Sequence, residues 1–176
     1  VNMGNPTSLQ LTHTGTVAVW IKYVIVVGSG IVSKDDWNAN RNGYSISEGG
    51  NGVIYGEIAN AITYNSIAAS DLSQNVWKSI VFTWDGSYLR IYVNGVSAAT
   101  PVSQTIDAVS NVYNLQFGML SFTSAVYYNG LIDEVRISSS SRSAAWINAE
   151  YKNGAETYNT FAAAETFSLG LGSALA

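Results

Sequence analysis

The chain holds 12 Asp and Glu residues, a single histidine and no cysteine. That set bounds its chemistry. Hydrolysis of a glycosidic bond needs two carboxyl groups on one bond, one to protonate the leaving oxygen and one to attack or to activate water. Asp35-Asp36 and Asp133-Glu134 are adjacent pairs, so on a strand their members point to opposite faces. Glu48, Glu57 and Glu150 stand alone in sequence. His13 would have to serve any Ser-His-Asp arrangement by itself. Its setting, Thr12-His13-Thr14-Gly15, reads as a turn with an exposed polar side chain. Without cysteine there are no disulfides, thiolate metal sites or Cys nucleophile. The expectation is a protein that is not an enzyme and has no catalytic residue.

Binding chemistry is better represented. Trp37, Asn38, Asn40, Arg41 and Asn42 combine a ring that can stack on a sugar with side chains that can bond hydroxyls. Tyr127-Tyr128-Asn129 is a second such place, so Trp37, Asn38, Asn40 and Tyr128 are the carbohydrate-binding candidates. An ordinary polar loop with Trp37 packed on the sheet rim is the plainer alternative. Lys34, Asp35 and Asp36 read as the solvated, charged part of the same loop. Trp20, Trp77, Trp84 and Trp146 lie in periodic segments and read as core.

The elements that must position these residues are strands. In residues 75–96, Ile80, Phe82 and Trp84 alternate with Ser79, Val81 and Thr83, the period of a two-faced strand. Asp85-Gly86 and Asn94-Gly95 bracket a second run, so the stretch predicts a β-hairpin. Further strands are predicted at 9–11, 17–22, 30–33, 44–47, 53–58, 61–67, 115–118 and 130–138. Many short strands with Gly and Asn turns predict an all-β, two-sheet antiparallel jelly-roll sandwich. One short helix follows, capped by Ser143 and ended by Gly154, with Ile147 and Tyr151 on one face.

At 176 residues the chain is long enough for a single domain with a real core. Charged residues make up 11%, against roughly 25% in an average soluble domain. That surface suits an extracellular, cell-surface or virion-surface protein. A net charge of −4 gives no basic footprint for nucleic acid. Residues 17–32 are apolar but shorter than the roughly 20 residues of a spanning helix. They contain Lys22, Gly28 and Gly30, so strand-turn-strand is expected and no membrane span. The chain opens with Val1, as a cleaved precursor or a fragment would.

Four blocks in order carry a family resemblance: GNPTSLQLT with TVAVWIK; IVSKDDW with NGYSIS; VWKSIVFTWDGSYLRIYVNGV; and NGLIDEVRISSSSRSAAWINAEY. Together they resemble the laminin-G-like, concanavalin A-like lectin/glucanase jelly rolls of surface proteins. The match covers nearly all of residues 1–160, with 161–176 as a strand-like extension. The resemblance implies two sheets packed face to face, and a role in binding carbohydrate, in binding protein or as a spacer. The paired-carboxylate strand motif of the family's glucanases is missing. No cofactor is required. The family's structural Ca²⁺ would fall on Asp133, which cannot make a site alone; Asn2 and Asn5 could add oxygens if the N-terminal segment passes nearby.

Departures from the family suggest assembly. In the family a strand usually precedes the GNPTSL block, and this chain begins almost on top of that block. Tyr23, Val24, Ile25, Val26 and Val27 replace a polar loop, and Phe167, Leu169 and Leu171 alternate with Ser and Gly. These eight residues form the expected assembly interface, with copies of the same chain as partner through strand donation. The leading expectation is therefore a non-enzymatic structural or adhesive subunit of a self-assembling filament or fibre. The alternative is a carbohydrate-binding, lectin-like module of a larger surface protein. On the first reading, removal of residues 166–176 leaves soluble monomers by light scattering, and an unchanged oligomeric state overturns it.

Overall fold

The computed structural model describes residues 1–25, 28–35, 41–70, 73–121 and 127–155. A 3-10 turn at Thr7–Leu9 precedes β1 (Gly15–Ile25), β2 (Gly30–Asp35), β3 (Asn42–Gly50), β4 (Val53–Asn60) and β5 (Tyr64–Ala69). The predicted hairpin is β6 (Lys78–Trp84) and β7 (Tyr88–Val93). Short strands β8 (Val96–Ser97), β9 (Val102–Ser103) and β10 (Gln116–Phe117) lead to β11 (Asn129–Ser138) and α1 (Ala144–Gly154). All pairing is antiparallel. One sheet runs β11-β1-β6-β7-β8, with β9 also on β7, and the other runs β10-β2-β3-β4-β5. This is the expected two-sheet jelly-roll sandwich. Among the described residues no helix is long and apolar enough to cross a membrane.

The interior follows from alternation. Val17, Val19 and Ile21 of β1 and Ile80, Phe82 and Trp84 of β6 meet Tyr44, Ile46, Ile54 and Ile58 of the facing sheet in one apolar cluster. Trp84 stacks on Phe82 at 5.1 Å between ring centroids and lies 5.5 Å from Tyr44. Two glycines make room for these rings. A Cβ on Gly15 would lie 2.3 Å from the Trp84 ring, and one on Gly56 2.3 Å from the Phe82 ring. The Trp84 indole N–H donates to the Thr12 carbonyl, 3.2 Å away, so its polar atom is satisfied on burial.

Helix α1 packs on the outer face of the six-stranded sheet, where Ile147 joins Ala18, Val81 and Tyr92. The Ser143 hydroxyl caps it by accepting the Trp146 N–H at 3.2 Å, as expected. Tyr151, on the Ile147 face, stacks on Trp20 at 5.8 Å.

Several expectations need correction. Residues 9–11 form no strand, because Gln10 N–H closes a turn onto the Thr7 carbonyl. The edge of β10 is not short of a strand: Met3 N–H bonds Leu115 O, and Phe117 N–H bonds Val1 O. Residues 1–4 thus act as the edge segment. Tyr23 is buried in the core, since β1 continues to Ile25 and turns this ring inward. Val24 points out and is 37% exposed, and Ile25 pairs with Asn129 through its backbone. Val26, Val27, Phe167, Leu169 and Leu171 lie outside the described residues.

Lys34 and Asp35 are not a solvated turn. Both are in β2 and buried. Lys34 Nζ donates to Asn5 Oδ1 (2.7 Å), Tyr113 O (2.8 Å) and Asn111 Oδ1 (3.1 Å), and Asn111 Nδ2 returns a bond to Lys34 O at 3.0 Å. An ammonium has three donors and no acceptor, so three oxygens satisfy it. Burial lowers its pKa to about 8, which still leaves it charged at neutral pH. Lys34→Met removes the charged donor from three buried or half-buried oxygens, although Asn5 Oδ1 keeps its bond from Gln10 and Asn111 Oδ1 its bond from the Tyr113 N–H. The expected loss is about 3 kcal/mol of unfolding free energy, measured by urea denaturation at pH 7; a change within experimental error would exclude this tie as a stabilising element.

Candidate functional site

The alternation that fills the interior sends the polar residues of β2 to β5 to the opposite face. Ser33, Ser45, Glu57 and Ser66 stand in register across the four strands. Ser47 and Tyr55 form the next rung, and Asp35 lies one rung the other way, opposite Gly43. Ser47, Glu48, Tyr55, Glu57, Tyr64 and Ser66 line a depression of about 570 Å³ on this face. That volume is in the usual range for a small-molecule site.

Its walls are tyrosines and its floor is polar. Tyr64 is 45% exposed, and the Arg41 guanidinium lies 3.9 Å above its ring centre. Glu57 is buried below, bonded by the Ser66 hydroxyl. Burial pushes the Glu57 carboxyl above its ordinary range, against the Ser66 bond and the nearby Arg41 charge, which both pull it down. Ser45 Oγ, fully buried beside Glu57 in register, has no hydrogen-bond partner among the described residues. Asp35 accepts from Ser33 Oγ at 2.5 Å. Glu48 sits near two phenols, Tyr23 and Tyr128; burial raises both, and the Glu48 charge raises them further.

The residues singled out from sequence are dispersed. Trp37, Asn38 and Asn40 lie outside the described residues. Tyr128 is no sugar platform: it is 9% exposed and packs in the core, because the backbone bond from its N–H to Gly118 O draws the segment inward. His13 is exposed, as expected, and pairs with Asp107 at 2.9 Å. Asn5 and Asp133 are not brought together. Asn5 Oδ1 is taken up by Lys34 and by Gln10, whereas Asp133 belongs to β11. Asn2 bridges Gln116. Among the described residues, no group of three His, Cys, Asp or Glu side chains could hold a metal ion.

Asp133 belongs instead to a second depression, of about 540 Å³, on the outer face of the six-stranded sheet beside α1. Trp20, Trp77, Asp133, Glu134, Arg136 and Glu150 line it. Between the Trp20–Asp133 and Ala18–Arg136 pairs β1 has one residue, Val19, and β11 has two, Glu134 and Val135, so the register shifts there. Glu134 takes a φ of 50° at that bulge, and the consequence is that Asp133 and Glu134 line the same depression instead of opposite faces. Glu134 accepts from Arg136 at 2.6 Å, and Glu150 pairs with the same guanidinium. Trp20 and Trp77 are therefore not core residues: Trp77 is 39% exposed. Tyr55, Glu57 and Tyr64 were the other residues missed. Ser33 and Asp35 of β2, Ser45 and Ser47 of β3, and Tyr55 and Glu57 of β4, each pair two residues apart, were the available signal.

The family model described as the concanavalin A-like lectin/glucanases superfamily matches residues 1–148. No curated protein sequence matches the chain. Among solved structures, the binding domain of Paraclostridial Mosquitocidal Protein 1 superposes with a TM-score of 0.69 at 14% identity, over 87% of this chain and 40% of that one. The receptor binding domain of botulinum neurotoxin D gives 0.66 at 20% identity, over 86% and 40%. Domain 4 of AbnA, a GH43 extracellular arabinanase from Geobacillus stearothermophilus in complex with arabinotriose, gives 0.63 at 16%, over 84% and 70%. At these identities the likeness is one of fold. The chain spans two-fifths of the first two structures.

The raised Glu57 carboxyl has a measurable consequence. The folded state binds this proton more tightly than the unfolded chain, so the stabilisation is full below the ordinary carboxylate range and is lost as pH rises through the raised value. Glu57→Gln is expected to gain stability relative to the parent between pH 4 and pH 7 in urea unfolding. A parallel pH dependence of the two proteins would overturn this.

Proposed function

The chain belongs to the concanavalin A-like lectin/glucanase superfamily, and from that premise we propose that it is a non-catalytic carbohydrate-binding module. The groove on the outer face of the five-stranded sheet carries this reading. Tyr55 and Tyr64 supply ring faces for sugar stacking, and Ser47, Glu57 and Ser66 supply hydroxyl partners between them. Arg41 over Tyr64 holds one wall of the groove. Glycan-related structures with this fold, such as the arabinanase domain bound to arabinotriose, support the same class of ligand. A place outside the cell or on a surface fits the low charge and the extracellular enzyme among the similar structures.

Catalysis is not favoured by the arrangement. Two carboxylates line the groove, Glu57 on β4 and Glu48 on β3. Glu57 is in register with Ser45 and Glu48 with the core residue Ile54, so alternation aims them to opposite sides of the sheet. Asp35 is two strands from Glu57 and already bonded by Ser33 Oγ. The self-assembling subunit reading gains no support from the described contacts. Of its residues Tyr23 is core, Ile25 is paired with Asn129 through its backbone, and Val24 alone among the described ones is exposed. The rest lie outside the described residues, and the β10 edge is occupied by residues 1–4.

A glycan array with the full chain tests the module. Retention of at least one oligosaccharide class is expected, with Tyr55→Ala and Tyr64→Ala each weakening it by about tenfold and no release of reducing sugar. Silence across a broad array of neutral and acidic glycans would overturn the proposal, as would binding that both substitutions leave unchanged.

A further inference from the structure

We infer that the depression beside α1, on the face opposite the groove, is a second binding site that takes an organic guanidinium or ammonium group. It is a cavity of about 540 Å³ with indole in its wall. Trp77 keeps 39% of its surface exposed, although a surface tryptophan loses stabilisation by staying wet. Trp20 is held in place by Tyr151, stacked on it at 5.8 Å. An organic cation over such rings is attracted by the negative face of the π-system.

The charges point to the same class. Asp133, Glu134 and Glu150 line the cavity against one cation, Arg136, leaving a formal charge of −2. Arg136 is already shared by Glu134 and Glu150. Asp133 accepts only the Glu134 N–H, at 2.8 Å, and has no ion pair among the described residues. A cation can therefore meet Asp133 and an indole face together, whereas a carboxylate, sulfate or phosphate would be repelled. Lys22 lies two residues from Trp20 on β1 but is not among the lining residues. The site shares no residue with the sugar groove, so either can fail without the other.

The test uses the full chain and NMR of the Trp77 indole N–H, assigned by its loss in Trp77→Phe. N-acetyl-arginine methylamide and N-acetyl-lysine methylamide are titrated, beside N-acetyl-glutamate methylamide and a neutral oligosaccharide. Both cations are expected to give a saturable shift, weakened about fivefold in Asp133→Asn and also weakened by added salt. Tyr55→Ala leaves it unchanged. No shift with either cation overturns the inference, as does an equal shift with the glutamate probe. A shift confined to the oligosaccharide would mark the depression as a sugar site instead, and affinity unaltered in Asp133→Asn would remove the role of charge.

Discussion

The two sheets share one apolar layer, and the packing of Trp84 between Phe82 and Tyr44 is its centre. Everything outside that layer is constrained by it. A strand has two faces, and every strand that gives one face to this interior has a single face left for chemistry. The close approach of Gly15 to Trp84 and of Gly56 to Phe82 shows how little slack the layer has. Large rings fit because two opposing positions carry no side chain at all. Each fully buried side chain of this size contributes about 2 kcal/mol by leaving water, so the layer fixes strand register: a one-residue slip would turn it to solvent.

The outer faces then diverge. On the five-stranded sheet the alternation places serines, Glu57 and two tyrosines in rungs, giving a groove with a polar floor and aromatic walls. On the six-stranded sheet α1 covers the apolar patch of Ala18, Val81 and Tyr92. Where the helix ends, Trp20, Trp77 and the charged residues of β11 remain at the surface. Both depressions hold carboxylates in excess, but the groove sets Glu48 and Glu57 among tyrosines and serines, whereas the second depression sets Asp133, Glu134 and Glu150 beside Arg136 and two tryptophans.

Lys34 shows a different use of charge. A buried ammonium is costly unless its donors are met, and here three oxygens from the N-terminal segment and the 111–113 loop meet it. The side chain thus ties three distant stretches of chain. Asn5, considered from sequence as a calcium ligand, spends its oxygen on this cation and on Gln10.

The hairpin, the capped helix and the two-sheet class were legible in residues, because alternation, Asn-Gly turns and a Ser cap are local signals. The family was legible for the same reason, since its blocks are runs of such strands. The binding faces were not. Lys34 and Asp35 read as a solvated loop because nothing local shows that Asn5, Asn111 and Tyr113 converge on Lys34 or that the strand carrying both is buried. Trp20 and Trp77 read as core because periodicity reports that a residue has a face, not which face is covered. Asp133 and Glu134 read as opposed because a bulge with positive φ at Glu134 is set by pairing with β1. The sequence by itself determined where the long strands lie and that one side of each must be buried, though not that residues 9–11 form a turn or that β8 and β9 pair with β7. Only the tertiary structure decided which polar and aromatic side chains share a surface, because that depends on strand order, register and the seat of α1, all of which are contacts between residues far apart in the chain.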